Sequence, residues 1–429
     1  MRRRALSVLV AVEAGMGFAD QHLRGEDAPF VRELVMGVLR RRHTLDTILG
    51  AYLRRPLEGL EPQVRAALRI GLQQVLFLDG VPPHAAVSET VSAVGKASAK
   101  AFINGVLRAI LRECNTVPPD RDRGGASPTK RLERPGRNVT FFSRAVFPDP
   151  ERDRVAWLAA VHSHPPFLVR RWVDAVGEEQ AVARMEQGND TPPFVLRPRA
   201  GRADAEGVVA ALMKEGVPAG VLARDSGPDA VLVARGAKGV LSGKAFKGGL
   251  FSVQDVEQMD AAEILAPKPG EVVWDACAAP GGKAAQLAEL LAGEGRVVAT
   301  DLNAERLTGL SDTVTRLGLE GVEVAAHDLL SDDPPPGCPE GGFDAILVDA
   351  PCSNSAVLAR RPEARWRLTE QTLAELVALQ EQLLAAARRH LASDGRLVWS
   401  VCSHEPEEGA GHGLHPTRSA FVSSSRPGA

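Results

Sequence analysis

Short apolar runs alternate with helix-period segments between residues 272 and 401, and few folds accommodate that alternation. Strands are expected at 272–276 (ValValTrpAspAla), 296–301, 322–326, 343–348 and 396–401. Helices are expected at 284–291, 305–317 and 373–390 between them. Strand and helix in turn mean a doubly wound parallel sheet. Such sheets bind ligands outside the carboxyl ends of their strands, near the point where strand order reverses. Two of these strands end next to a cysteine, Cys352 and Cys402, so both thiols are expected to face one crevice.

The remaining residues of the 429 divide by pattern. Residues 1–114 read as helical, with Phe30, Val31, Leu34, Val35, Val38 and Leu39 on one stripe at helical period. Residues 115–150 are rich in Pro, Gly and charge and read as a linker, disordered in part. Residues 151–250 mix helix and strand signals and read as a small α/β unit, 251–408 as the doubly wound domain, and 409–429 as a disordered or truncated tail. MetArgArgArg and the apolar run behind it imitate a leader, but Glu13 interrupts the run, and an amphipathic first helix is expected instead. No apolar stretch reaches the roughly 20 residues that span a bilayer.

The net charge of −3 conceals an asymmetry. Residues 1–150 carry 23 Lys and Arg against 15 Asp and Glu, a surplus of +8, and the remainder carries −11. A basic front suits a polyanion, through counterion release, or is simply a solvated helical surface. Five cysteines with no CxxC spacing argue against a disulfide framework or a metal site, and they fit a reducing, cytoplasmic setting.

AspAlaCysAlaAlaProGlyGlyLys, residues 275–283, leaves the first strand and opens the first helix. Its small residues (Cys277, Ala278, Ala279, Pro280, Gly281 and Gly282, ahead of Lys283) let a ligand approach the backbone at a helix N-terminus. The loop is neither a P-loop nor GxGxxG. Asp301 ends the next strand, 19 residues beyond Gly282, where a carboxylate accepts from ribose hydroxyls. Asp328 and Asp349 end the third and fourth strands. A glycine loop ringed by acids suits S-adenosylmethionine, whose ribose wants an acid and whose sulfonium is cationic.

The 275–283 loop, AspAlaProCysSer at 349–353 and ValCysSer-x-x-ProGluGlu at 401–408 resemble the motifs of RNA cytosine-5 methyltransferases. Within them the chain resembles the bacterial 16S rRNA enzymes of the RsmB/Sun/Fmu type. GlyValLeuArgArgArg, LeuArgIleGlyLeuGlnGln and PheIleAsnGlyValLeuArg are similar to the NusB-like helical domain fused to that group. The resemblance implies a NusB-like RNA-binding bundle, a small RRM-like α/β subdomain and a Rossmann-like methyltransferase domain. It implies S-adenosylmethionine as cofactor, and as partner 16S rRNA outside the fully assembled subunit, bound by a monomer with no membrane. It implies Cys402 as the nucleophile on cytosine carbon-6 and Cys352 as the thiol that helps resolve the adduct. DNA enzymes attack with the proline-cysteine thiol instead, which leaves the reverse assignment open. Asp349 would fix cytosine or the methyl donor, and Lys283 either supports the crevice or is ordinary surface charge. Arg360, Arg361, Arg365 and Arg367 either pair with phosphates or form a solvated turn.

Three departures from the pattern set expectations. Where the family has Ser-Gly-Thr-Gly after the cysteine, this chain has Ser353, Asn354, Ser355 and Ala356, which is expected to reshape the loop. Val401 stands where threonine is usual. The tail shows no strand pair, so the strand that carries Cys402 is expected at an unpaired edge. A non-catalytic RNA-binding protein with an inactive methyltransferase domain is the second reading, and an enzyme acting on tRNA or DNA the third.

Overall fold

The computed structural model describes residues 1–23, 29–121, 125–134, 138–412, 415–416 and 421–424. The chain forms two compact units, Met1–Thr191 with Ala356–Glu370, and Pro192–Ser355 with Gln371–Ala429.

The first unit opens with helices Arg2–Glu13, Pro29–Arg40, Arg42–Gly50, Pro62–Phe77, Pro83–Ser92 and Ala97–Glu113. The expected stripe on Pro29–Arg40 is the buried face, with Val31, Leu34, Val35, Val38 and Leu39 inside and Phe30 at its margin. Each such side chain contributes about 1.5–3 kcal/mol by leaving water. Pro62–Phe77 is the central helix, buried on nearly every side. Gly71 permits this, because a side chain there would run into Leu107.

The expected linker is partly structured. β1 (Cys114–Val117), β2 (Arg131–Leu132) and β3 (Val139–Phe142) form an antiparallel sheet in the order β1-β3-β2. Leu132, Phe142, Val146 and Phe147 pack into the helical core, and these few apolar residues were hidden by the Pro- and Arg-rich composition around them. Residues 122–124 and 135–137 of that stretch lie outside the described residues.

Helices Arg154–His162, Pro166–Val176 and Glu178–Asn189 also belong to this unit, so the unit boundary at Thr191 differs from the expected one at 150. The segment 356–370 belongs here too. Arg365 is fully buried and donates to Ser163 O at 3.0 Å, Asn189 Oδ1 at 2.7 Å and Gly188 O at 2.8 Å. Its neighbour Trp366 donates from Nε1 to Leu39 O at 2.9 Å. Arg361 and Arg367 stack over the Phe18 ring at 5.2 and 4.3 Å. The phosphate role read for Arg365 is therefore corrected: its guanidinium is spent on backbone carbonyls and one amide.

In the second unit β4 (Phe194–Pro198), β5 (Ala219–Leu222), β6 (Ala230–Val233) and β7 (Phe251–Val253) form an antiparallel sheet ordered β5-β6-β4-β7, with helix Ala205–Lys214 packed on one face. The larger sheet contains β8 (Val272–Asp275), β9 (Arg296–Asp301), β10 (Val322–Ala326), β11 (Phe343–Asp349), β12 (Leu391–Ser400), β13 (His415–Pro416) and β14 (Phe421–Ser424). Its order is β10-β9-β8-β11-β12-β14-β13, parallel through β12. Alternate residues serve opposite faces. Val273, Val297, Leu347 and Val398 meet Leu265, Leu287 and Leu310 on one side. Trp274, Val298, Ile346 and Trp399 meet Leu383, Leu384 and Ala387 on the other.

The expected bare edge is not found. β14 pairs antiparallel with β12, placing Phe421 opposite Trp399 and Val422 opposite Val398. A four-residue strand among Ser, Gly and Pro leaves too weak a periodic signal to read. Residues 413–414, 417–420 and 425–429 of the expected tail lie outside the described residues.

Candidate active site

Strand order reverses between β8 and β11, which puts the crevice at the carboxyl ends of those two strands. Trp274 anchors the end of β8 by donating from Nε1 to Thr300 Oγ1 at 2.9 Å. The loop that follows is held to both neighbours, Ala276 N–H donating to Leu347 O at 2.9 Å and Ala278 N–H to Thr300 O at 2.8 Å. Its Ala279–Pro280 bond is cis. Gly281, at φ +109°, stands just ahead of helix Gly282–Leu290. A Cβ on Gly281 would lie 2.7 Å from Leu310 Cγ, so only glycine satisfies both the conformation and the space.

Four acids were expected or found around this loop, in different states. Asp301, at the end of β9, is buried; it accepts from Ala279 N–H at 3.2 Å and from Asn303 N–H at 3.0 Å. Asp349, at the end of β11, accepts from Lys283 Nζ at 2.6 Å. Burial alone would lower the Lys283 ammonium, but Asp349 and then Asp275 more than offset it, and the net shift is upward. Lys283 is itself buried, so it is not surface charge. Asp328 is exposed beyond β10 and accepts from Leu330 N–H at 3.0 Å, the geometry of a turn former.

The fourth acid, Asp275, was not named among the site residues from sequence. It is fully buried at the end of β8, and neither carboxylate oxygen accepts a well-formed hydrogen bond. Burial first, then Asp349, push it up to about 8, against the opposing pull of the Lys283 ammonium and, less, of the Cys277 N–H. The available signal was its position, the same strand-end register as Asp301 and Asp349. Cys277, next to it, has its thiol pushed up by burial and by Asp275 and is not poised to ionise.

The two thiols meet because of strand register. Asp349 on β11 lies opposite Ser400 on β12, and each strand is followed within three residues by its cysteine. Cys352 Sγ and Cys402 Sγ are 3.3 Å apart. The hydrogen bond to Cys402 and burial hold the Cys352 thiol well above its ordinary range. Cys402 Sγ also lies 3.3 Å from Asn354 Oδ1.

Glu408, fully buried, clamps the two loops. It accepts from Ser353 N–H at 2.8 Å and from Ser353 Oγ at 2.5 Å, from Gln380 Nε2 at 3.0 Å, and from Ser403 Oγ. In the sequence this residue stands out only as part of ProGluGlu. A buried carboxylate stands only where such donors surround it.

S-adenosylmethionine carries an ammonium, a sulfonium and a ribose diol, and the residues present fit it. A buried carboxylate without proper partners suits a cationic ligand, and in this crevice that residue is Asp275. The Cys277–Lys283 loop and Asp301 would hold the rest of the cofactor.

Residues 262–412 match the family model described as 16S rRNA methyltransferase RsmB/F, and residues 2–112 match the NusB family. Ribosomal RNA small subunit methyltransferase B of Shigella sonnei (strain Ss046) is 31% identical over 413 residues, covering 94% of this chain and 86% of that protein. The crystal structure of PH0851 shares the fold with a TM-score of 0.73 at 23% identity, over 97% of this chain and 90% of that one. A methyltransferase homolog protein from Pyrococcus horikoshii gives a TM-score of 0.52 at 27% identity, over 61% of this chain and 81% of that one. The chain belongs to the ribosomal RNA small subunit methyltransferase B family and is an S-adenosylmethionine-dependent methyltransferase.

Proposed function

We propose that the protein methylates carbon-5 of a cytosine in 16S rRNA through a covalent bond from Cys402 to the base. The observation that carries this reading is the pair of sulfurs 3.3 Å apart at the carboxyl ends of adjacent strands. Cytosine carbon-5 is too weak a nucleophile unaided. A thiolate adding to carbon-6 turns the ring into an enamine and splits one hard step into easier ones. Cys402 is that thiol. Cys352, held protonated at neutral pH by its bond to Cys402 and by burial, does not compete as a nucleophile.

S-adenosylmethionine, when bound, supplies an electrophilic methyl group for carbon-5. Loss of the carbon-5 proton to a base then lets the carbon–sulfur bond break, which restores the carbon-5–carbon-6 double bond and returns the electron pair to Cys402. Cys352, in contact with Cys402, assists that release. Lys283 acts on Cys402 electrostatically from across the crevice and on Asp349 by a direct bond. Asp349 orients the cytosine or the methyl donor. The target base must leave its stack to enter the crevice.

The substrate is small-subunit RNA before full assembly, met by a monomer in the cytoplasm. Among the described residues no helix is long and apolar enough to cross a membrane. Bisulfite mapping of unmethylated 16S rRNA after incubation with labelled donor tests the reading. The expected result is one converted-resistant cytosine with the native protein and none with Cys402→Ala. Full methylation by Cys402→Ala would contradict the nucleophile, and methylation of tRNA or DNA alone would contradict the substrate.

A further inference from the structure

Asn354 touches both members of the thiol pair. It occupies the place of the first glycine in the family's Ser-Gly-Thr-Gly, and its φ of +59° is the left-handed conformation that glycine adopts freely and asparagine tolerates best among other residues. The backbone consequence of losing that glycine is therefore absorbed. What the substitution adds is a side-chain amide at the thiols.

The orientation of that amide follows from its surroundings. Nδ2 lies 2.8 Å from Cys352 O, and a carbonyl oxygen can only accept, so the nitrogen must face it. Oδ1 is then the atom presented to Cys402 Sγ at 3.3 Å, and Cys402 is the donor in that contact. With the Cys402 proton directed at Asn354, the 3.3 Å contact between sulfurs is made by Cys352 S–H donating to Cys402. The Asn354 backbone N–H in turn supports the Cys352 sulfur. The result is a one-way chain from Cys352 to Cys402 to Asn354 Oδ1.

We propose that Asn354 is a positioning residue that sets the direction of this proton chain, keeping the resting Cys402 as a thiol and Cys352 as the donor to it. This rests on the reading of Cys402 as nucleophile, and it adds to it what fixes the direction of the bond between the two thiols. An acceptor oxygen facing a sulfur favours S–H over the thiolate. When Cys402, which is partly exposed, gives its proton to solvent, Cys352 S–H remains aimed at the charge. Replacing or displacing the Asn354 carbonyl is then the step that frees the nucleophile.

The charged and titratable groups about the pair are Lys283 with Asp349 and Asp275 from the cofactor loop and strand ends, Glu408 beneath the loops, and His404 and Glu405 beside Cys402. None of them changes in the variants that test the proposal. Iodoacetamide alkylation of the native chain without cofactor, followed at the Cys402 peptide by mass spectrometry from pH 6 to 10, reads the proton on that sulfur. Asn354→Gly keeps the backbone conformation and removes the acceptor, so the alkylation midpoint is expected to fall by about one pH unit. Asn354→Asp keeps the size, replaces the Nδ2 donor to Cys352 O by a second acceptor oxygen, and adds negative charge beside Cys402, so the midpoint is expected to rise by at least as much. Unchanged midpoints in both variants overturn the proposal. So does a shift of both in the same direction, which is what loosening of the loop would give. The outcome is separable from the nucleophile reading, because alkylation needs no turnover and methyl transfer by Cys402→Ala is measured independently.

Discussion

Asp349 on β11 and Ser400 on β12 are register partners in adjacent parallel strands, and that pairing delivers Cys352 and Cys402 to the same point. A shift of one residue would turn every side chain of one strand to the other face and separate the sulfurs. Register is held by burial on both faces, Leu347 and Val398 on one and Ile346 and Trp399 on the other. The chemistry is thus a consequence of core packing.

Glu408 should prove as important as either thiol to the shape of the loops. Glu408→Ala leaves the Ser353 N–H without its acceptor and takes from the Gln380 amide one of two, Pro351 O at 2.8 Å being the other, and stability should fall by roughly 3 kcal/mol. Glu408→Gln should retain most of it. The Ser353 and Ser403 hydroxyls can turn to accept from the new amide while its oxygen still serves Ser353 N–H and Gln380. Urea denaturation followed by tryptophan fluorescence separates the two variants, and equal losses would contradict the clamp.

Gly281→Ala should weaken S-adenosylmethionine binding while the chain still folds. The substitution meets both a left-handed backbone and Leu310, a strain of about 1–3 kcal/mol, or roughly tenfold to a hundredfold in affinity. Equilibrium dialysis checks this, and native affinity would show that the loop yields easily.

Asp275 should make cofactor binding sensitive to protons. Its folded value of about 8 exceeds the ordinary 3.8, so the stability it contributes is complete below about pH 4 and is lost as pH rises through about 8. At pH 7 the carboxyl is mainly protonated, and a cationic ligand needs it ionised. Binding should therefore release close to one proton, and affinity should rise between pH 6 and 8. Calorimetry in two buffers of different ionisation enthalpy measures the release. Asp275→Asn should bind weakly and release none.

Arg365→Met should destabilise the first unit by roughly 3 kcal/mol or more, because Ser163 O, Gly188 O and Asn189 Oδ1 lose their buried donor. Thermal unfolding of the full chain checks it. A melting temperature equal to the native one would mean that the carbonyls find other partners.

The doubly wound sheet was legible because its strands are apolar and its helices periodic, and DACAAPGGK marked the cofactor loop. The thiol pair was legible from strand ends alone. Asp275 was missed because its burial without good partners is a property of the fold. Glu408 was missed because its four donors come from loops and a helix separated by up to 55 residues. The strands at 114–117, 139–142 and 421–424 were missed because each is four residues long in Pro-, Ser- or Arg-rich surroundings, so tertiary pairing decides them. Arg365 looked like a phosphate ligand because sequence cannot tell a guanidinium that faces water from one spent on carbonyls.

Cys402 is proposed to bond to the target base, and Cys352 to help release it. Cys352→Ala, incubated with S-adenosylmethionine and unmethylated 16S rRNA, should accumulate a protein–RNA complex that survives a denaturing gel, with the nucleotide attached to the Cys402 peptide by mass spectrometry. No such complex, or attachment at any other residue, would contradict these roles of the two thiols.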